Sequence, residues 1–330
     1  MALLPLRFSD GGPSPEQVVH RVLRRGHLDV IAITDHNRIE GALRAREAAR
    51  GSWLQVIVGE EVSTADGHLL ALFIQERIRP GLPVAETIAE VHAQGGLAIA
   101  AHPDDAELLC GGTLAKAARQ GYRVAILDLT RGESGSYGSV ERRAEEARAA
   151  ARMLGLVARA TVGLPDAALE NTPSTRLAVA AWVRAFRPRT VVLPFPGGRH
   201  PDHHVAADLA RDACFVAGLR RVPAPLPPFR PTKLLYALAF REDAPPPRFV
   251  VDITDTIETK LAAISCYASQ IENRTWIGEV FPGGDRPLLE QIRVHAAAAG
   301  ARIRTAYGEP FLTLEALRVD DVVALPGRSL

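Results

Sequence analysis

Leu97-Ala98-Ile99-Ala100-Ala101-His102-Pro103-Asp104-Asp105 is a run of small and apolar residues that ends abruptly in one imidazole and two carboxylates. A continuous apolar run suits a parallel strand covered on both faces, and in open α/β sheets the groups just past a strand's carboxyl end face the ligand crevice. The stretch therefore reads as a buried strand that delivers a metal site. His102 and Asp105 lie three residues apart across a turn stiffened by Pro103, within reach of one cation, and Asp104 is left to act on a bound water. A helix N-cap aspartate beside a surface histidine would produce the same letters, so the rest of the chain has to decide.

With 330 residues the chain has room for two domains of about 100–200 residues each. Hydrophobic residues at 47% and charged residues at 23% are ordinary for a globular protein, and a net charge of +1 gives no reason to expect nucleic acid or an anionic membrane as partner. A small-molecule or protein partner fits this balance. Cys110, Cys214 and Cys266 are odd in number and widely spaced, which fits neither a disulfide framework nor a CxxC zinc site and implies a reducing compartment. No stretch approaches the roughly 18 apolar residues of a membrane helix, and Met1-Ala-Leu-Leu-Pro5 is interrupted too soon for a signal peptide. A soluble, cytoplasmic protein is expected.

Upstream of the central stretch, helical spacing over Pro15–Arg25 precedes a buried strand, Asp29–His36, that ends in an Asp-His pair. A helix at Ile39–Ala49, a strand at Leu54–Val58 ending in Gly59-Glu60-Glu61, a strand near His68–Phe73 and a helix from Val84 to Gln94 follow. Metal-type side chains (His36, Glu61, His68) recur at or beside strand ends. Phe8-Ser9-Asp10-Gly11, Ile33-Thr34-Asp35-His36-Asn37, Gly59–Thr64, Gly67–Leu70 and Gly95–Pro103 resemble successive motifs of the PHP (polymerase and histidinol phosphatase) metal-dependent phosphoesterases. That family carries an HxH pair before the Ser-Asp-Gly, where this chain has Leu3 and Pro5, neither of which ligates metal. The resemblance covers about residues 8–103 and implies an incomplete PHP-type β/α segment rather than a working phosphoesterase.

Downstream, a helix to about Gln120 with Thr113 as N-cap, a strand at Tyr122–Leu129, the Gly/Ser-rich segment Thr130–Gly138, a helix Glu141–Leu154, a strand near Arg159–Val162, a helix near Thr175–Arg184 and a strand Thr190–Leu193 alternate as a mostly parallel sheet requires. Further helices are expected at Val205–Val216, Thr256–Ser269 and Leu288–Ala299, and strands at Lys233–Ala239 and Arg248–Val251. Arg143 sits on a helix whose charges suit a solvated, paired face. His200-Pro201-Asp202-His203-His204 places three histidines in five residues, too many to serve as core filling, because each buried imidazole needs a partner. Were His102, Asp105 and His203 to converge, two nitrogens and one oxygen would hold a divalent ion with a position open for water, as in a catalytic zinc site.

Ala101–Glu107 with Gly111-Gly112-Thr113, Thr130-Arg131-Gly132-Glu133, Gly163-Leu164-Pro165-Asp166 and His200–His203 resemble the LmbE-like zinc deacetylases, which act on N-acetylglucosaminyl compounds. Phe249–Ile253, Lys260, Ala263–Gln270 and Tyr307–Phe311 are similar to the deacetylases of N-acetylglucosaminyl-L-malate in bacillithiol biosynthesis. The resemblance spans about 97–322. It implies a Rossmann-like α/β fold for 97–330 with helices on both faces of the sheet, preceded by the PHP-like segment 1–96. It further implies one Zn2+ per chain on His102, Asp105 and His203, with Asp104 as general base. His200 would stabilise the oxyanion or protonate the leaving amine, an imidazolium beside the metal, and Asp202 would orient it. Because the family is often oligomeric, a homo-oligomer is also expected. A malate group carries two carboxylates, which guanidinium groups bind bidentately, so Arg131 and Arg199 are candidates; Asp166 and Asn171 are candidates for sugar hydroxyls. Tyr267 and Gln270 suit either a site wall or a subunit contact. The competing readings are a PHP-type phosphoesterase and a ligand-binding module without turnover.

Overall fold

The computed structural model describes residues 12–26, 28, 30–72, 74, 76–92, 95–223, 226–240, 243–272 and 286–316. The Phe8–Gly11 motif, Leu3, Pro5, Asp29, Phe73 and Gln94 lie outside the described residues. Contacts divide the chain into two units, Met1–Gln94 and Gly95–Leu330.

In the first unit, α1 (Pro15–Arg25), β1 (Val30–His36), α2 (Glu40–Ala48), β2 (Gln55–Thr64), β3 (Gly67–Leu72) and α3 (Val84–His92) surround a three-stranded sheet. A capping box on Ser14 and Gln17, with Pro15 behind it, starts α1. Val18, Val19 and Val22 of α1 share one core with Ile31 and Ile33 of β1 and Ala42 and Ala45 of α2. Strand β2 does not stop at Val58: Gly59–Thr64 continue it, because they pair antiparallel with β3, and the parallel pairing with β1 itself runs from Gln55 to Glu61.

The second unit contains β4 (Gly95–Ala100), α4 (Asp105–Arg119), β5 (Arg123–Asp128), α5 (Val140–Leu154), β6 (Ala158–Thr161), α6 (Pro173–Phe186), β7 (Thr190–Pro194), α7 (Pro201–Ala217), β8 (Lys233–Ala237), β9 (Phe249–Asp252), α8 (Ile257–Ser265), α9 (Ala268–Ile271), α10 (Leu288–Ala301) and β10 (Gly308–Leu312). Its sheet has the order β6-β5-β4-β7-β8-β10-β9, parallel except that β10 runs antiparallel to both neighbours. Alternate residues of the opening strand face opposite layers, as period-two geometry demands. Leu97 and Ile99 pack with Val179 of α6 and Leu209 of α7, whereas Ala98 and Ala100 pack with Leu109 of α4 and Ala147 of α5. Both faces are therefore covered, which is why the strand reads as a continuous apolar run. From β4 the chain steps outward to β5 and β6, then returns through α6 to β7 on the other side of β4. That reversal puts the carboxyl ends of β4 and β7 side by side, where open α/β sheets bind ligands.

Three local expectations change. Helix α7 begins at Pro201, so His203 and His204 belong to its first turn. The helix expected over Thr256–Ser269 is split after Ser265 into α8 and the short α9. Thr113 is not an N-cap: α4 already starts at Asp105 and is broken inside at Cys110, with φ −147° and ψ 19°. The break separates the Gly112 N–H from the Leu108 carbonyl, and a buried ion pair fills the gap. Glu309 accepts from the Gly112 and Thr113 N–H groups at 2.9 and 2.7 Å, and Lys260 Nζ donates to Leu108 O at 2.8 Å and to Glu309 Oε1 at 2.6 Å. Gly112 also permits close approach, since a Cβ there would lie 2.8 Å from the Ile253 side chain.

Lys260→Met is expected to destabilise the protein by about 3–5 kcal/mol in urea unfolding, because Glu309 keeps a buried charge without its partner. A change under about 1 kcal/mol would contradict this account of the pair.

Candidate metal centre

Beyond Ala100 the chain turns into α4. The His102 N–H donates to Asp105 Oδ2 at 2.9 Å, which fixes the carboxylate at the first position of the helix. Asp104, between them, has φ +104°, a region that only glycine enters without strain. Beyond β7, His200 forms the N-cap of α7, with Pro201 at the first helical position and Asp202 and His203 following.

These two strand ends converge on one carboxylate oxygen. Asp105 Oδ2 lies 3.2 Å from His102 Nδ1 and 3.0 Å from His203 Nε2. The His200 ring meets that of His102 edge-on at 4.7 Å between centroids and lies 5.0 Å from that of His203. Nitrogens of His102, His200 and His203 all fall within 4.8 Å of one another. The other nitrogen of His102 faces Asp166 Oδ1 at 3.0 Å and Asp202 Oδ2 at 3.3 Å.

The electrostatics call for a cation. Burial disfavours charge on His102, yet the hydrogen bonds it donates to Asp105 and Asp166 outweigh it and carry the imidazole up to about 11. Burial likewise disfavours the Asp105 carboxylate, but His203 and His102 hold it well below the usual range. A site that draws a proton onto a buried histidine offers the same negative field to a divalent ion. Two ligands about 2.0–2.1 Å from a tetrahedral zinc stand roughly 3.3 Å apart, close to the spacings here. The residues thus fit the metal expected of them.

Around this core the candidate acid and base groups differ. Burial raises Asp104 to about 7, with the Arg143 guanidinium 3.1 Å away pulling in the opposite direction. Burial and the neighbouring His102 and His203 push His200 below its ordinary value. Its Nδ1 accepts from the Asp202 backbone N–H at 3.3 Å, which leaves the proton on Nε2. The contact of Asp202 with His200 thus comes from its main chain. Its carboxylate instead accepts from the Ala167 and Leu169 N–H groups at 2.9 and 3.3 Å.

The expected substrate residues separate. Arg131 and Arg199 are exposed, Arg131 with its guanidinium beside Gly163 and Arg199 next to His200 in the chain. Asp166 stays beside the site: besides facing His102, it accepts from Ser134 N–H at 2.7 Å and Ala167 N–H at 2.9 Å, joining two loops. Asn171 is drawn elsewhere. Its amide donates to Asp212 at 3.0 Å and accepts from Arg176 at 2.6 Å, and Asp212 lies nine residues beyond His203, about 13 Å along α7. His204 is exposed and reaches Gly198 O at 2.9 Å.

Sequence reasoning missed the charges behind the site. Arg143 is buried instead of solvated, and Arg159 bridges Glu107 and both oxygens of Asp128. Tyr267 is fully buried, its hydroxyl donating to Glu107 Oε1 at 3.1 Å, so it forms neither a site wall nor a subunit contact. Glu107, two residues past Asp105, was the available signal. In the first unit, His36 Nε2 lies 3.1 Å from His68 Nδ1, with Glu61 4.0 Å from the latter, an exposed second cluster.

Residues 97–214 match the family described as PIG-L, GlcNAc-PI de-N-acetylase. The diacetylchitobiose deacetylase of Thermococcus kodakarensis is 32% identical over 198 residues, 54% of this chain and 71% of that protein. An uncharacterized protein of Methanocaldococcus jannaschii, MJ1587, is 38% identical over 98 residues, 30% of this chain, which spans only 57% of that relative. The crystal structure of the conserved protein TT1542 from Thermus thermophilus is similar with a TM-score of 0.61 and 39% identity, covering 69% of this chain and 98% of that one. Among the described residues no helix is long and apolar enough to cross a membrane.

Metal binding at His102 has to displace its proton, because only a neutral imidazole ligates. Zinc titrated into metal-free protein at neutral pH is therefore expected to release about one proton, read by calorimetry in buffers of different ionisation enthalpy. Affinity rises with pH and levels off only as the solution approaches the His102 value of about 11. Binding without proton release would contradict this electrostatic picture.

Proposed function

The chain belongs to the PIG-L/LmbE-like deacetylase family, and from that premise we propose that it hydrolyses the acetamide of N-acetylglucosaminyl-L-malate to glucosaminyl-malate and acetate, the deacetylation of bacillithiol biosynthesis. The observation that carries the reading is the single Asp105 oxygen within 3.2 Å of two imidazoles, His102 and His203, from separate strand ends. His102, Asp105 and His203 would hold one Zn2+. When bound, the ion would supply Lewis acidity to polarise the amide carbonyl and to make the attacking water more acidic.

The chain's own residues do the rest. Asp104, buried and near 7, takes the proton of the attacking water and returns it to the leaving amine. His200, with its proton on Nε2, donates to the developing oxyanion. Arg131 and Arg199, exposed on the two loops that flank the site, pair with the malate carboxylates. The malate assignment draws support from the tail residues Phe249–Ile253, Lys260 and Tyr307–Phe311, and the wider N-acetylglucosaminyl class from the chitobiose relative. The His36, Glu61 and His68 cluster takes no part in this reaction.

Amine release from N-acetylglucosaminyl-malate, with diacetylchitobiose for comparison, and metal analysis test the proposal. About one zinc per chain and amine from the malate conjugate are expected; zinc well below one per chain, or stoichiometric ligand binding without amine, would overturn it. Asp104→Asn should lower kcat by about 10²–10⁴-fold, whereas Glu61→Gln should leave it unchanged, the reverse of a phosphoesterase. Asp104 acts as the carboxylate, so kcat/KM should rise with pH and level off no higher than about 7, since a bound cation lowers that value further. The acid limb should vanish in Asp104→Asn.

A further inference from the structure

We infer, on the basis of the malate reading above, that Asp243 is a positioning residue: with His204 it clamps the Gly197-Gly198 turn and so fixes Arg199 for the substrate's carboxylates. Strands β7 and β8 run parallel and in register as far as Pro194 and Ala237, so the loops that follow them leave the same end of the sheet from adjacent strands. The first loop runs from Phe195 to His200, and the second carries Asp243. Both oxygens of Asp243 face the Gly198 N–H, at 3.1 and 3.2 Å. His204, in the first turn of α7, donates from Nε2 to Gly198 O at 2.9 Å. Gly198 is thus held at its amide and at its carbonyl.

The two glycines are shaped to this clamp. A Cβ on Gly197 would lie 2.7 Å from Asp243 Oδ2, and Gly198 holds φ +92°, which favours glycine. An unrestrained Gly-Gly pair is the most pliant backbone a chain offers, and here it immediately precedes Arg199. Phe195 on the first loop and Ala244, next to Asp243, pack on the same core, which brings the carboxylate within reach of the turn. On the other flank of Arg199, His200 is already set by its place as N-cap of α7 and by the Asp202 N–H. The helix therefore secures His200 whether or not the clamp is closed, whereas the backbone leading into Arg199 depends on Asp243 and His204. The consequence falls on substrate binding and not on the chemical step. The last histidine of the His200–His204 run, exposed and bonded to Gly198, works on this turn.

The test uses the zinc-loaded full chain and amine release from N-acetylglucosaminyl-malate. Asp243→Ala is expected to raise KM about tenfold, the loss that goes with one charge-assisted hydrogen bond, with kcat within about threefold of wild type and unchanged zinc content. Asp243→Asn keeps an oxygen for the Gly198 N–H and should bring KM back to within about threefold of wild type. His204→Ala opens the clamp at the carbonyl; it should raise KM severalfold, and it decides the matter if Asp243→Ala does not fold. In an Arg199→Ala background, whose own KM is raised, Asp243→Ala should add less than about threefold, because both changes then act on one contact. A KM close to wild type in folded Asp243→Ala, or in His204→Ala should the former not fold, would overturn the inference alone. So would an equal rise in both backgrounds, or an asparagine variant as poor as the alanine. An Arg199→Ala chain with unchanged KM, or a wild-type chain that releases no amine, overturns the malate reading itself, and this inference with it.

Discussion

The structure depends on one carboxylate held between two imidazoles. Asp105 can serve His102 and His203 at once only if the ends of β4 and β7 are adjacent, and they are adjacent only because the strand order reverses between them. Position in the fold also favours the charge. Asp105 is the first residue of α4 and Asp202 lies in the first turn of α7, where helix N-termini stabilise anions by roughly 0.3–1 kcal/mol each. Sheet topology, helix capping and site chemistry are therefore one arrangement seen at three scales.

Around that carboxylate the protein pairs its buried charges. Arg159 with Glu107 and Asp128, Lys260 with Glu309, and Arg143 with Asp104 are all nearly removed from water. Such pairs add little net stability over an apolar core, but losing one partner is costly, so they specify a single arrangement. The chemistry sits where this matching is least complete. Asp104 is strained, buried and raised to about 7, and His102 carries a proton that a metal ligand has to surrender. A base poised near neutrality and a site in need of a cation are what hydrolysis of a stable amide requires.

The central strand and the metal-type residues beside it were legible because they follow from local rules. A doubly covered strand must be apolar throughout, and clustered histidines resist any reading as core. Other features were hidden because distant residues decide them. Strand β10, Gly308–Leu312, is short and contains both glycine and proline; pairing with β8 and β9 makes it a strand. The break in α4 at Cys110 exists because Lys260 and Glu309, far along the chain, take over the released backbone groups. Arg143 belongs to a helix so rich in Arg and Glu that its burial shows only once the loop around Gly132 is in place. The contacts of Asp166 with the Ser134 amide and of Asn171 with Asp212 likewise join residues far apart in the chain, which no local pattern announces.

The central claim is that the ends of β4 and β7 together hold one metal ion. Anomalous diffraction at the zinc edge from crystals of the zinc-loaded chain tests it most directly. The account predicts a peak in this unit bonded to His102, Asp105 and His203. No peak there, or a peak in this unit that lacks either the His102 or the His203 nitrogen, would contradict it.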